Sequence, residues 1–111
     1  MTKPSSSDDL YVQAGKTIAE IEAEMKRIGY WSPDLLPEEA YDFQQAFAMD
    51  TMAFSQWMQF ILIPRVREII EEHGTFPSNS MVGAQAVREF DGDWDASQLV
   101  SLLSEFDELF R

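Results

Sequence analysis

Residues 47–65 read FAMDTMAFSQWMQFILIPR, the densest apolar stretch of the chain, and they set a proline, Pro64, inside a helical pattern. Turned at about 100° per residue, Phe54, Trp57, Met58 and Ile61 share one face before the proline. Leu62, Val66, Ile69 and Ile70 share another after it, rotated by roughly a quarter turn. A proline removes one backbone hydrogen bond and bends a helix. The pattern therefore predicts one long helix, capped by Asp50 or Thr51 and running to about Glu72, kinked where its buried face changes. Its first half is apolar nearly all round, which makes it the expected central helix.

The rest of the chain supplies partners for it. Leu10, Ala14, Ile18, Ile21, Met25 and Ile28 recur at spacings of three and four and predict a helix over residues 8–28. Ser7 or Asp8 is the expected cap, Glu22 and Lys26 an i,i+4 pair on the wet side, and Gly29 the left-handed residue that ends it. Residues 1–7 are small, polar and proline-bearing, and read as a flexible tail. In YWSPDLLP, residues 30–37, two prolines forbid regular helix. Its Tyr30, Trp31, Leu35 and Leu36 are expected to fold back onto the bundle, with Pro37 opening a short helical turn. His73 and Gly74 close the central helix. MVGAQAVREF, residues 81–90, is ambiguous, because Gly83 weakens a helix and strand alternation is not clean. Asp95 with Gln98 reads as a capping box for a last helix over 96–110, with Leu99, Leu102, Leu103, Phe106, Leu109 and Phe110 inward. The expected fold is all-α: a small bundle of about four helices, in a single domain over residues 8–111.

Composition narrows function. The chain has 111 residues and no cysteine, which excludes thiol catalysis, disulfides and cysteine-held zinc. One histidine, His73, excludes multi-histidine metal sites, and its expected role is to end a helix. The longest apolar run is far too short to span a membrane, and no leader-like apolar segment stands at the N-terminus. The expected setting is the cytoplasm. A net charge of −12 disfavours direct contact with nucleic acid. Residues 28–64 and 89–108 carry acids and no Lys or Arg, which suits a solvated surface or the steering of a basic partner. Asp91, Asp93 and Asp95 alternate as in a calcium loop, but Ala96 and Leu102 stand where that loop needs glycine and a bidentate glutamate. No catalytic motif, metal set or cofactor cradle is found. Acids are plentiful enough for a buried pair, but their spacing does not support one, and they sit where caps and wet faces want them.

Two polar groups run against the grain of the central stretch. Arg65 lies one turn after Ile61, in line with the apolar face. Gln59 lies opposite that face. A cation near buried surface needs a partner, and Asp50 or an acid of the connection is the expected one. Arg65, Asp50, Gln59 and Trp57 are thus candidates either for a structural ion pair or for a small-anion or peptide-carboxylate site.

Phe47, Met49-Asp50-Thr51-Met52, Trp57, Gln59 and Leu62-Ile63-Pro64-Arg65 together resemble the signature of the YqcC-like family of small bacterial proteins. Trp31, Pro77 and the closing Leu102, Asp107, Leu109 and Phe110 extend the resemblance over most of the chain. One departure is Ala53, where the family can carry a glutamate completing a capping box, so that Asp50 must cap alone. The resemblance implies an all-α bundle associated with tRNA pseudouridine synthase genes. That enzyme needs a large, mostly β catalytic domain, which a helical chain of this size cannot hold. The implied role is therefore accessory: a non-catalytic protein that binds a partner, a basic RNA-modifying enzyme among the candidates. A homodimer through the apolar surplus of the last helix or the connection is also compatible.

Overall fold

An apolar residue at every third or fourth position gives the first long segment one wet and one dry face. In the computed structural model, which describes residues 6–78 and 80–110 without the side chains of 6–8, this segment is α1, Ser6–Arg27. Ala14, Ile18, Ile21 and Met25 are buried, with Leu10 and Ile28 packed beside them. Lys26 pairs with Glu22 at 2.8 Å on the wet side. Gly29 takes φ +79°, and the Tyr30 N–H returns to the Met25 carbonyl at 2.8 Å, the long bond of a left-handed cap. Of the expected tail, residues 1–5 lie outside the described residues, while Ser6 and Ser7 belong to the helix. The expected cap at Ser7 or Asp8 concerns side chains outside the description.

The central rod comprises α2, Phe54–Trp57, a π-turn at Met58–Leu62 and α3, Ile63–Glu72, in unbroken succession. A kink at Pro64 is not shown; the irregularity seen is the π-turn just ahead of it. There the Ile63 N–H reaches back five residues to the Met58 carbonyl. A proline has no N–H to give and crowds the carbonyl four residues back, and a widened turn eases both demands. Pro64 then follows as the second residue of α3, and its missing N–H leaves one carbonyl of the preceding turn without the usual helical donor. The rod starts later than expected. Ala53, not Asp50 or Thr51, precedes its first turn, and the Ala53 N–H donates to Gln56 Oε1 at 2.8 Å. At the other end His73 takes the left-handed position at φ 52°, and Gly74 N–H reaches the Ile69 carbonyl at 2.8 Å. The His73 ring packs on Tyr11, centroids 5.1 Å apart.

The rod is dry on two sides because it has two neighbours. Phe54, Met58, Leu62, Ile63 and Val66 enter the main core with α1 and the C-terminal helices. Trp57 and Ile61 also meet a second cluster of Ala40, Ala48 and Met52, which belongs to the connection. That connection carries 3-10 turns at Glu38–Tyr41 and Ala46–Ala48. Tyr30 and Trp31 pack on the main core and Leu36 on the second cluster. Leu35 does not fold back as expected; it is 88% exposed.

Residues 82–89, ambiguous in sequence, form α4, Val82–Glu89. It packs on α5, Ser97–Glu108, which in turn packs on α1. A Cβ at Gly83 would lie 2.8 Å from Ser104 Cα, so the glycine is there to let the two backbones approach. The expected Asp95 capping box is not formed. A 3-10 turn, Trp94–Ala96, leads directly into α5 and no side chain caps it. Leu99, Leu102, Leu103, Phe106 and Phe110 are buried as predicted. Among the described residues there is no strand, and no helix is long and apolar enough to cross a membrane.

Candidate functional site

The four residues singled out from the sequence do not converge on one point. Gln59 is buried at 8% exposure. Its Oε1 accepts the Ser32 N–H and its Nε2 donates to the Ser32 carbonyl, both at 2.8 Å. A side-chain amide offers a donor and an acceptor side by side, so it pairs with one backbone unit as a strand would. Gln59 is thereby a clamp that fixes the connection to the rod. Asp50 turns toward the connection too: its Oδ2 accepts the Gln44 N–H at 2.9 Å and its Oδ1 the Gln45 N–H at 3.4 Å. Chiefly the Gln44 bond holds its carboxyl below the usual aspartate value. Thr51 Oγ1 donates to the Ala40 carbonyl at 2.6 Å. These bonds explain why neither residue caps the rod. They are spent on the turn through Phe47 and Ala48, both left-handed at φ 57° and 52°.

The expected Arg65–Asp50 ion pair is absent. Arg65 is exposed and takes no part in the ion pairs seen among the described residues. The structure brings it together with Trp57 instead, at a groove of about 300 Å³. Ile61, Leu62, Val66 and Ile69 of the rod form one wall, and Met81, Phe106 and Phe110 belong to the opposite side. Phe47 also lines it, edge-on to Trp57 at 4.9 Å, while Trp57 stacks on Phe54 at 5.7 Å. Arg65 is the one charged residue among those described as lining this groove. A phenylalanine and an alanine in left-handed backbone cost about 1–3 kcal/mol each, a strain found where surrounding structure or a ligand clamp imposes it. From this turn the Phe47 ring meets both Trp57 and Phe54. Chemically, the groove suits apolar side chains with an anionic group at its edge.

The sequence names Asp107 only within the family resemblance and assigns it no role; the structure makes it a structural anchor. Asp107, at 6% exposure, accepts hydrogen bonds from Ser80 Oγ at 2.6 Å, Val82 N–H at 3.0 Å and Gly83 N–H at 2.7 Å. The available signal was an acid four residues after Leu103, in register with the apolar stripe of α5. Elsewhere, the Tyr30 hydroxyl donates to Asp93. That bond, with burial and the nearby negative charge adding to it, raises the Tyr30 pKa above its usual value. Among the described residues no group of three or more acids and histidines gathers to hold a metal.

The sequence model of a family described as "tRNA pseudouridine synthase C" matches residues 13–109. The chain is similar to an uncharacterized protein of Haemophilus influenzae, 24% identical over 100 residues that make up 87% of this chain and 92% of that one. It is also similar to a protein of Pectobacterium carotovorum named tRNA pseudouridine synthase C, 25% identical over 65 residues. That alignment takes 59% of this chain but only 17% of the Pectobacterium protein. Uncharacterized protein YqcC of Escherichia coli is 30% identical over 57 residues, 51% of this chain and 52% of that protein. No solved structure matches.

Proposed function

We propose that this chain, which belongs to the family described as tRNA pseudouridine synthase C, is a non-catalytic accessory module that docks on a tRNA-modifying enzyme. One observation carries the reading. The relative that bears the enzyme's name is matched over only 17% of its length, whereas the Haemophilus protein is matched over 92%. A segment of this kind thus accompanies a much longer chain in one case and makes up nearly a whole protein in another. Occurrence in both arrangements supports a reading in which the segment's surface meets the rest of the longer chain. The charge is consistent with that role. A net charge of −12 repels the tRNA backbone but attracts a basic enzyme surface at long range.

Co-purification of this chain with the tRNA pseudouridine synthase of the same organism, at low and at high salt, is the test. The expected result is a defined complex by size exclusion with light scattering, weakened as salt rises. Pseudouridine formation is expected from the synthase and from the complex, and not from this chain alone. Modification of tRNA by the isolated chain, or no complex even at low salt, overturns the reading. A second reading, binding of a small anion or peptide carboxylate, is favoured by Arg65 at the groove, which takes no part in the ion pairs among the described residues. Calorimetry with inorganic phosphate and with acetate separates it: saturable binding of either at the wild-type groove, lost in Arg65→Ala, supports that second reading instead.

A further inference from the structure

Apolar surface left concave and open is costly unless something covers it. The groove between α3 and the α4–α5 pair is such a surface, and its chemistry restricts what fits. We propose that it seats an amphipathic helix of a partner protein, which places apolar side chains between Ile69 and Phe106 and presents an aspartate or glutamate to Arg65. This rests on the accessory reading and names its docking surface.

Three observations support this occupant. First, the lining is apolar except for Arg65 and two serines, and about 300 Å³ lies at the small end of ligand cavities. That is room for a few side chains. Second, the charge is complementary to an acid. The chain holds 20 acidic residues against 8 Lys and Arg, yet Arg65 is left out of the ion pairs among the described residues. In so acidic a molecule, an exposed guanidinium beside an apolar groove selects a carboxylate brought by the partner. Third, the lining is adaptable. Met81, 59% exposed, lines the groove, and methionine conforms to different side chains as helix-binding grooves require.

The full chain is used as bait against a displayed library of random peptides of about 16 residues, four to five helical turns. Arg65→Glu and Met81→Glu are screened in parallel, both at exposed positions and both checked for unchanged melting. The expected winners carry apolar residues at i, i+3 or i+4 and i+7 with an acid on an adjacent turn. They are expected to bind Arg65→Glu about tenfold more weakly than wild type, and synthetic winners with that acid changed to its amide should lose part of the same affinity. No enrichment, or winners indifferent to Arg65→Glu, overturns the proposal. So does self-association by light scattering that the two variants abolish, which would make a second copy the occupant. The library contains no synthase, so a failed groove and a failed synthase complex are read separately.

Discussion

At the scale of single residues, the most informative group is Asp107. Val82 and Gly83 are in the first turn of α4, where backbone donors have no partner within the helix. Met81, which precedes them, supplies no capping side chain. The cap comes from another helix: Asp107 of α5 accepts both N–H groups and the Ser80 hydroxyl. Asp107→Ala strands these donors in a buried place. It is expected to cost about 3 kcal/mol, from lost charge-assisted bonds and a lost cap, read as a lower urea midpoint. Asp107→Asn keeps one acceptor oxygen and should recover part of that loss. Gly83 makes the same contact from the other side. Gly to Ala inside a helix ordinarily gains about 1 kcal/mol. Here the new Cβ would stand 2.8 Å from Ser104 Cα and 2.9 Å from Ser104 N. Backbone atoms cannot swing aside, so the clash decides the sign. Gly83→Ala should lose about 2 kcal/mol, and an unchanged or higher melting temperature would show that α4 and α5 have slack between them.

At the scale of elements, the connection is held to the rod by one side chain as much as by packing. Gln59→Ala removes both bonds to Ser32 and leaves that backbone unit to find water. The expected loss is about 1–2 kcal/mol, with faster proteolysis between Ser32 and Pro37 while α1 keeps its protection. Equal cleavage in wild type and variant would show that Leu36 and Trp31 hold the segment unaided. The helices were legible in the sequence because periodic burial leaves a periodic trace: Ile18, Ile21 and Met25 in α1, Leu99 and Leu103 in α5. The clamps were not. Gln59 to Ser32 and Asp107 to Gly83 join a side chain to a backbone unit two dozen or more residues away, and nothing in local spacing marks such a bond. The rod's start was misplaced for a related reason. Phe47 and Ala48 take left-handed backbone without being glycine, so the turn that engages Asp50 carried no local sign. Arg65 and Trp57 were found through polarity and size, yet the groove that joins them needs α4 and α5, which begin only at Val82 and Ser97, well beyond the reach of local spacing.

At the scale of the whole molecule, excess negative charge and specific ion pairs act in opposite directions as pH falls. Glu22 links two helices. Lys26 of α1 lies 2.8 Å from one carboxylate oxygen. Arg67 of α3 lies 2.7 Å from the other, close in charge though off the line of a good hydrogen bond. The Lys26 bond is the largest influence on the Glu22 carboxyl, burial opposes it, and Arg67 adds to it; the net result is a pKa below the usual 4.5. Glu24 is lowered likewise, by Arg27 first. A carboxylate with a depressed folded pKa contributes stability that is complete above its unfolded value. It is lost as pH falls through the folded value, because the unfolded chain takes up its proton first. Over the same range, protonation reduces the self-repulsion of a chain whose net charge is −12, which favours the compact state. The pH curve of the wild type therefore mixes both signs, and a comparison with Glu22→Gln isolates one. Wild type is expected to be modestly more stable than the variant at neutral pH, since the pairs are partly exposed and screened. The gap should stay level down to about pH 5, then close as pH drops below 4.5 and Glu22 becomes neutral in both states. Parallel urea titrations at matched ionic strength measure it. A gap that persists unchanged to the acid limit would assign Glu22's contribution to packing rather than to its charge.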